Sequence, residues 1–214
     1  MPTAMTYTSL LADLRAYLER GATTDPIVFN QLPQLVGLAQ DRIITELKIQ
    51  GFTAVVTSVM QAGVAVIPKP NRWKETISMN FGTGTGNNVR TILKGRSYEY
   101  CRDYWPNDTV TGVPVYYADY NFENWLIAPT PAAAYPFEVL YYGKLEELDD
   151  TVQTNWLTEN APNLILYASL LEATPFLKND QRIPVWQSMY DRYASALSGE
   201  ELRKILDRTN ERTA

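Results

Sequence analysis

Apolar residues recur at spacings of three and four near both ends of this chain and at a spacing of two between them, and that change of period restricts the fold most. Near the start, Leu10, Leu11, Leu14, Tyr17 and Leu18 share one helical face, with Gly21 as the stop. After a Thr23-Thr24-Asp25-Pro26 linker, a second helix seeded near Pro33 carries Leu35, Leu38, Ala39, Ile43 and Leu47 and ends at Gly51. Towards the other end, Asn160 caps a helix with Pro162 in its first turn and Leu164, Tyr167, Ala168 and Leu171 on one stripe, and Pro175 stops it. A further helix over 181–197 repeats Trp186, Met189, Tyr190, Tyr193 and Leu197, and the short break between the two predicts an antiparallel pair.

Between these helices the residues alternate. Segments 53–60 and 64–67 flank Gln61-Ala62-Gly63, which reads as a hairpin turn with glycine where positive φ is needed. Trp73, Ile77, Met79 and Phe81 form the buried side of a strand that Glu75 interrupts, and 89–94 is its expected partner. Residues 97–105 read as a short helix with Tyr98, Cys101, Arg102 and Trp105 on one side, and strands resume at 115–120, 125–127 and 137–142. Segregated helices and strands predict an α+β fold, a helical bundle from both chain termini with an inserted antiparallel β-sandwich or barrel-like domain. The expected divisions are 1–51 and 150–198 for the two parts of the bundle, 52–149 for the β domain with its short helix, and 199–214 for a charged arm. In that arm Leu202, Ile205 and Leu206 leave a narrow apolar stripe among Glu200, Glu201, Arg203, Lys204, Asp207, Arg208, Glu211 and Arg212.

Composition removes several functional classes. The chain has no histidine, which takes away the usual general base and the Ser-His-Asp and Cys-His nucleophile systems. Its single cysteine, Cys101, excludes an internal disulfide and reads as core rather than nucleophile. No metal or cofactor is expected. A net charge of −5 argues against a broad basic grip on nucleic acid. The start lacks the basic and apolar regions of a signal peptide, and no apolar run approaches the roughly 18 residues of a membrane span. Gly82-Thr83-Gly84-Thr85-Gly86-Asn87-Asn88 resembles a phosphate loop in glycine content, but Asn87 stands where a dinucleotide fingerprint needs glycine and no Gly-Lys pair follows, so it reads as a hairpin tip. Glu146, Glu147, Asp149 and Asp150 read as a solvated connector, because glycoside hydrolysis needs two carboxyls facing each other across a cleft. Tyr116, Tyr117, Tyr120, Phe122 and Trp125 could form a base-stacking or sugar-binding platform; without interleaved Lys or Arg, core or subunit-interface packing is preferred.

The order of several packing patterns resembles the head-to-tail adaptor family of short-tailed bacteriophages, the group that includes tail tubular protein A. The patterns are Tyr7-Thr8-Ser9-Leu10-Leu11, Leu38-Ala39-Gln40-Asp41-Arg42-Ile43-Ile44, Gly112-Val113-Pro114-Val115-Tyr116-Tyr117 and Ile127-Ala128-Pro129-Thr130-Pro131. They continue with Tyr141-Tyr142-Gly143-Lys144-Leu145, Asn155-Trp156-Leu157 and Pro162-Asn163-Leu164-Ile165-Leu166-Tyr167-Ala168, then Trp186 and Tyr190. The resemblance implies a structural virion protein rather than an enzyme, made in the host cytoplasm and built into the phage neck as a ring of twelve copies between portal and tail nozzle. The genome would pass through without specific binding, and no membrane is involved. Leu202, Arg203, Ile205, Leu206 and Arg208 are expected to dock on the portal, and the loops holding Thr83, Gly84, Thr85, Asn87 and Tyr135 to meet the nozzle. The alternatives are a virion-associated glycan hydrolase using a carboxylate pair, which predicts two converging acids, and a carbohydrate-binding module, which predicts sugar affinity through Trp125 or nearby tyrosines.

Overall fold

The computed structural model describes residues 4–19, 25–83, 89–177 and 181–210; at the end of the last helix it describes the backbone and the side chain of Arg203. Among these residues the chain is mixed α/β, with six α-helices and a nearly closed, barrel-like sheet. It divides into two compact units, Thr53–Gly143 and the combination of Met1–Phe52 with Lys144–Ala214.

In the helical unit, α1 (Tyr7–Leu18) starts on a capping box in which Thr6 and Ser9 each hold the other's backbone N–H, at 2.9 and 3.2 Å. It buries Tyr7, Leu10, Leu14 and Leu18, while Tyr17 stays exposed. Glu19 closes it in the left-handed conformation at φ 54°, and the expected stop at Gly21 lies outside the described residues. Helix α2 (Pro26–Glu46) begins seven residues before the expected seed. Asp25 accepts the Val28 N–H and Pro26 occupies the first turn, so Asp25-Pro26 is a start signal, Thr23 and Thr24 lie outside the described residues, and Pro33 lies inside the helix. Helix α2 ends at Glu46, not Gly51, and Leu38 points outward. Gly51 instead sits in a 3₁₀ turn under the Trp156 ring, where a Cβ would come within 2.2 Å of a ring carbon.

Asn160 also differs from its expected role. Asn155 caps a short helix α4 (Trp156–Asn160) through a box with Thr158, and α5 (Pro162–Glu172) starts on Ala161. Helix α5 buries Leu164, Ile165, Leu166, Ala168, Leu170 and Leu171, almost all round, because α1, α2, α4 and α6 pack around it. Pro175 lies in the 3₁₀ turn that follows, as its backbone chemistry requires. Helix α6 (Ile183–Asn210) buries Trp186 and Tyr190 and runs on through the charged segment, about 42 Å at 1.5 Å per residue.

The β unit has a seven-stranded sheet in the order β1 (Thr53–Met60), β9 (Tyr135–Gly143), β3 (Trp73–Thr83), β4 (Val89–Gly95), β6 (Tyr116–Asp119), β7 (Asn124–Ala128) and β2 (Val66–Pro68). Short strands β5 (Thr111–Gly112) and β8 (Thr130–Pro131) pair separately, and α3 (Tyr98–Tyr104) follows β4 on an N-cap from Ser97. The expected β3–β4 pairing is present. The expected 53–67 hairpin is not: Gly63 makes the turn at φ 76°, yet β1 pairs with β9 and β2 with β7, at opposite ends of the sheet order. Past the turn, Gly63 N–H binds the Pro131 carbonyl and the Ala65 carbonyl accepts from Ile127 N–H, both at 2.8 Å, and these bonds draw the chain towards β7. The sheet is not wholly antiparallel either, since β4 runs parallel to β6 over Lys94↔Tyr116 and Gly95↔Tyr117.

Met60, Met79, Phe81, Leu93, Trp125, Ile127, Phe137 and Val139 form the core of this unit. Register shifts along β3 break its alternation, so Ile77 faces outward and Thr76 inward. The Thr76 hydroxyl accepts two indole N–H groups, from Trp73 at 3.1 Å and from the fully buried Trp125 at 2.9 Å.

Candidate docking surfaces

Two residues that the alternatives offered, Asp149 for the hydrolase and Trp125 for the sugar-binding module, are engaged within the fold. Asp149 accepts from the Thr151 hydroxyl and the Thr151 and Val152 N–H groups, which holds its carboxyl below the usual carboxylate range, opposite to what a general acid needs. Trp125, offered as a sugar platform, is buried with its N–H satisfied inside the barrel. Cys101 is buried beside Ala118, Leu126 and Ala128, and desolvation raises its thiol pKa, as a core cysteine requires. Among the described residues no group of three or more His, Cys, Asp or Glu side chains is placed to hold a metal ion, and no helix is long and apolar enough to cross a membrane.

Thr83 and Tyr135 come to the same end of the β unit. Tyr135 pairs with Met60 on β1, Phe81 pairs with Phe137 two residues along, and the Tyr135 ring meets Phe81 edge-on at 5.2 Å. The chain enters and leaves this unit at the other end of the same strands, where Thr53 pairs with Tyr142. Gly84, Thr85 and Asn87 lie outside the described residues. Of the C-terminal set, Arg203 is exposed on α6; Leu202, Ile205, Leu206 and Arg208 are on its backbone, with side chains outside the description.

A groove of about 370 Å³ lies along the open seam between β1 and β2, lined by Val56, Met60, Ile67 and Phe137 together with Ser58, Gln61 and Lys69. Lys69 closes off its charge internally: its ammonium stacks 3.4 Å over Trp73, binds the Asn121 carbonyl and meets Asp119 at 2.9 Å.

A second face is aromatic. Tyr100 and Tyr104, one turn apart on α3, stack on each other and both meet Tyr116 of β6 edge-on, at 5.3 and 4.9 Å. The Arg96 guanidinium lies over Tyr100 and Tyr116, while Arg102 lies over Tyr98, which packs on Tyr120. Tyr98, Tyr100, Tyr104 and Tyr120 are exposed. Arginine is therefore interleaved with tyrosine here, contrary to the linear reading of residues 116–125. The signal was present in the spacing of Tyr100 and Tyr104, four apart on one flank of the helix.

The acidic connector of the helical unit is held rigidly. Buried Gln40 donates to the Glu146 carbonyl at 3.1 Å and accepts from the Leu148 N–H at 3.2 Å, Asn155 adds a bond to the Glu146 carbonyl, and Lys144 meets Asp41 at 2.8 Å. Leu148 is buried, and Glu146, Glu147, Asp149 and Asp150 are exposed around it.

The SU10 adaptor protein family matches residues 5–213. The chain belongs to that family. Membership makes it a structural phage adaptor protein, a virion component whose family implies contact with portal and tail proteins. No curated protein matches the chain.

Proposed function

We propose that the chain forms a ring of twelve copies between the portal and the tail nozzle, lining the channel through which the genome leaves the head. The observation that carries this reading is the family match over residues 5–213. In finer detail, helices from both termini act as one bundle on the portal side, and the end of α6 with Leu202, Arg203, Ile205, Leu206 and Arg208 docks on the portal. The end of the β unit that carries Thr83, Gly84, Thr85, Asn87 and Tyr135 meets the nozzle. Charge supports a non-binding channel. Seven of the 19 Lys and Arg residues and seven of the 24 Asp and Glu residues fall in Thr53–Gly143, so the helical unit carries the whole −5 of each copy. A ring multiplies that charge, and any part facing the lumen repels phosphate.

The test mixes the full chain with portal and follows the assembly by electron microscopy and native mass. A twelve-copy ring seated on the portal is expected, and loss of portal binding when residues 199–214 are deleted. A chain that ignores the portal, or a deletion that binds it unchanged, overturns the corresponding half.

A further inference from the structure

We propose that the tyrosine-arginine face of the β unit is the docking surface for a second copy of this chain, which presents its acidic connector at Glu147 and Asp150. The proposal rests on the ring reading and names the lateral contact that a ring needs.

The face has the composition of an interface centre. Tyr100 and Tyr104 keep 43% and 45% of their surface exposed while their rings brace each other and Tyr116, and the exposed Tyr98 and Tyr120 form a separate pair on the other flank of α3. Rings already held by their neighbours lose little rotamer freedom on docking, so their area counts almost fully towards binding. The buried side of α3 is supplied by Cys101, so the exposed tyrosines do not make the core of this unit.

Charge selects the occupant. The stretch 89–105 holds Arg90, Lys94, Arg96 and Arg102 against Glu99 and Asp103, a local basic excess in a unit whose charges sum to zero overall. Arg102 meets Asp108, but Arg96 meets no carboxylate among the described residues; its guanidinium rests on two tyrosine rings and the Gly95 carbonyl. Guanidinium and phenol groups offer donors, and a carboxylate accepts. The complementary surface lies on the same chain, in the connector that Gln40 and Leu148 hold fixed with its acids exposed. A basic aromatic face and an acidic ledge on one chain make a heterologous contact, the type that closes into a ring.

The test uses full-length chain assembling on portal, with copy number per portal read by native mass spectrometry. Arg96→Glu and Glu147→Arg, both at exposed positions, each raise the concentration needed for the full ring about tenfold, and the double variant, whose copies again match, returns to within about threefold of wild type. Single variants that assemble like wild type, or a double variant as weak as the two losses combined, overturn the docking proposal and leave the ring intact. A normal ring from Arg96→Glu that no longer binds the tail nozzle assigns the face to a tail protein and overturns it as well. Wild-type chain that binds portal only as a single copy removes the ring reading itself, and this proposal with it.

Discussion

Two residues carry more than their size suggests. Thr76 is a small polar side chain turned into the barrel by an irregular strand, and its hydroxyl satisfies both Trp73 and Trp125. Replacement by valine keeps the shape and leaves two indole donors without an acceptor. Thr76→Val therefore lowers stability by about 1–3 kcal/mol in urea unfolding, with a shift in tryptophan emission. Tyr190 does a similar job in the helical unit. Its hydroxyl donates to Glu46, which is bonded to Arg42, and Arg42 reaches Glu172 at 3.1 Å, so one network ties α2, α5 and α6. Desolvation first, then the bond to Glu46, raises the Tyr190 pKa well above that of a free phenol. A raised native pKa means that the folded state keeps a proton which the unfolded chain releases above about pH 10. Stability contributed by Tyr190 is thus complete below that pH and falls as pH rises further. Tyr190→Phe is expected to flatten part of the alkaline decline in denaturant midpoint, and an unchanged slope refutes the assignment.

At the scale of elements, the connector after β9 shows how little chain is needed to hold an exposed segment still. Gln40, buried in α2, binds backbone on both sides of Glu147. In Gln40→Leu the Leu148 N–H loses its acceptor in a buried site; a loss of about 1–3 kcal/mol and faster hydrogen exchange at the Leu148 amide are expected, whereas retained protection shows that the loop is held by Leu148 packing alone. No sequence signal marks such a clamp, because its partners are separated by more than a hundred residues. What local chemistry determines was legible: the β3–β4 pairing, the Ser97-capped helix and the stop at Pro175 follow from period and capping. Errors fell where a local signal had two meanings. Asp25-Pro26 could open a helix or lie in a linker, and its capping bond to Val28 decides it. Gly63 makes the expected turn, but partner choice for β1 and β2 depends on Pro131 and Ile127 far along the chain. The tyrosine face was half legible, since local spacing places Arg96, Tyr100 and Tyr104 near one another while Tyr116 joins them only through the parallel β4–β6 pair.

For the whole molecule, the topology makes the β unit an insertion. The chain leaves the helical unit after Phe52 and returns at Lys144, and the strands at these crossings are direct neighbours, with Thr53 opposite Tyr142. Paired residues in an antiparallel ladder lie about 5 Å apart, so the two cut ends of each unit nearly meet. The β unit also has a core of its own, from Met60 to Tyr141, and a charge balance of zero, while the helical unit buries α5 among its own helices. A segment with its own core and adjacent ends meets the physical conditions for independent folding. Residues 53–143 expressed alone are expected to unfold cooperatively and to retain the buried-tryptophan emission of Trp125. The complement, 1–52 joined to 144–214 by a short Gly-Ser link, is expected to keep its helical circular dichroism. If either piece is expressed intact but melts without a transition, the two units depend on each other for stability, and the insertion is one of topology without independent folding.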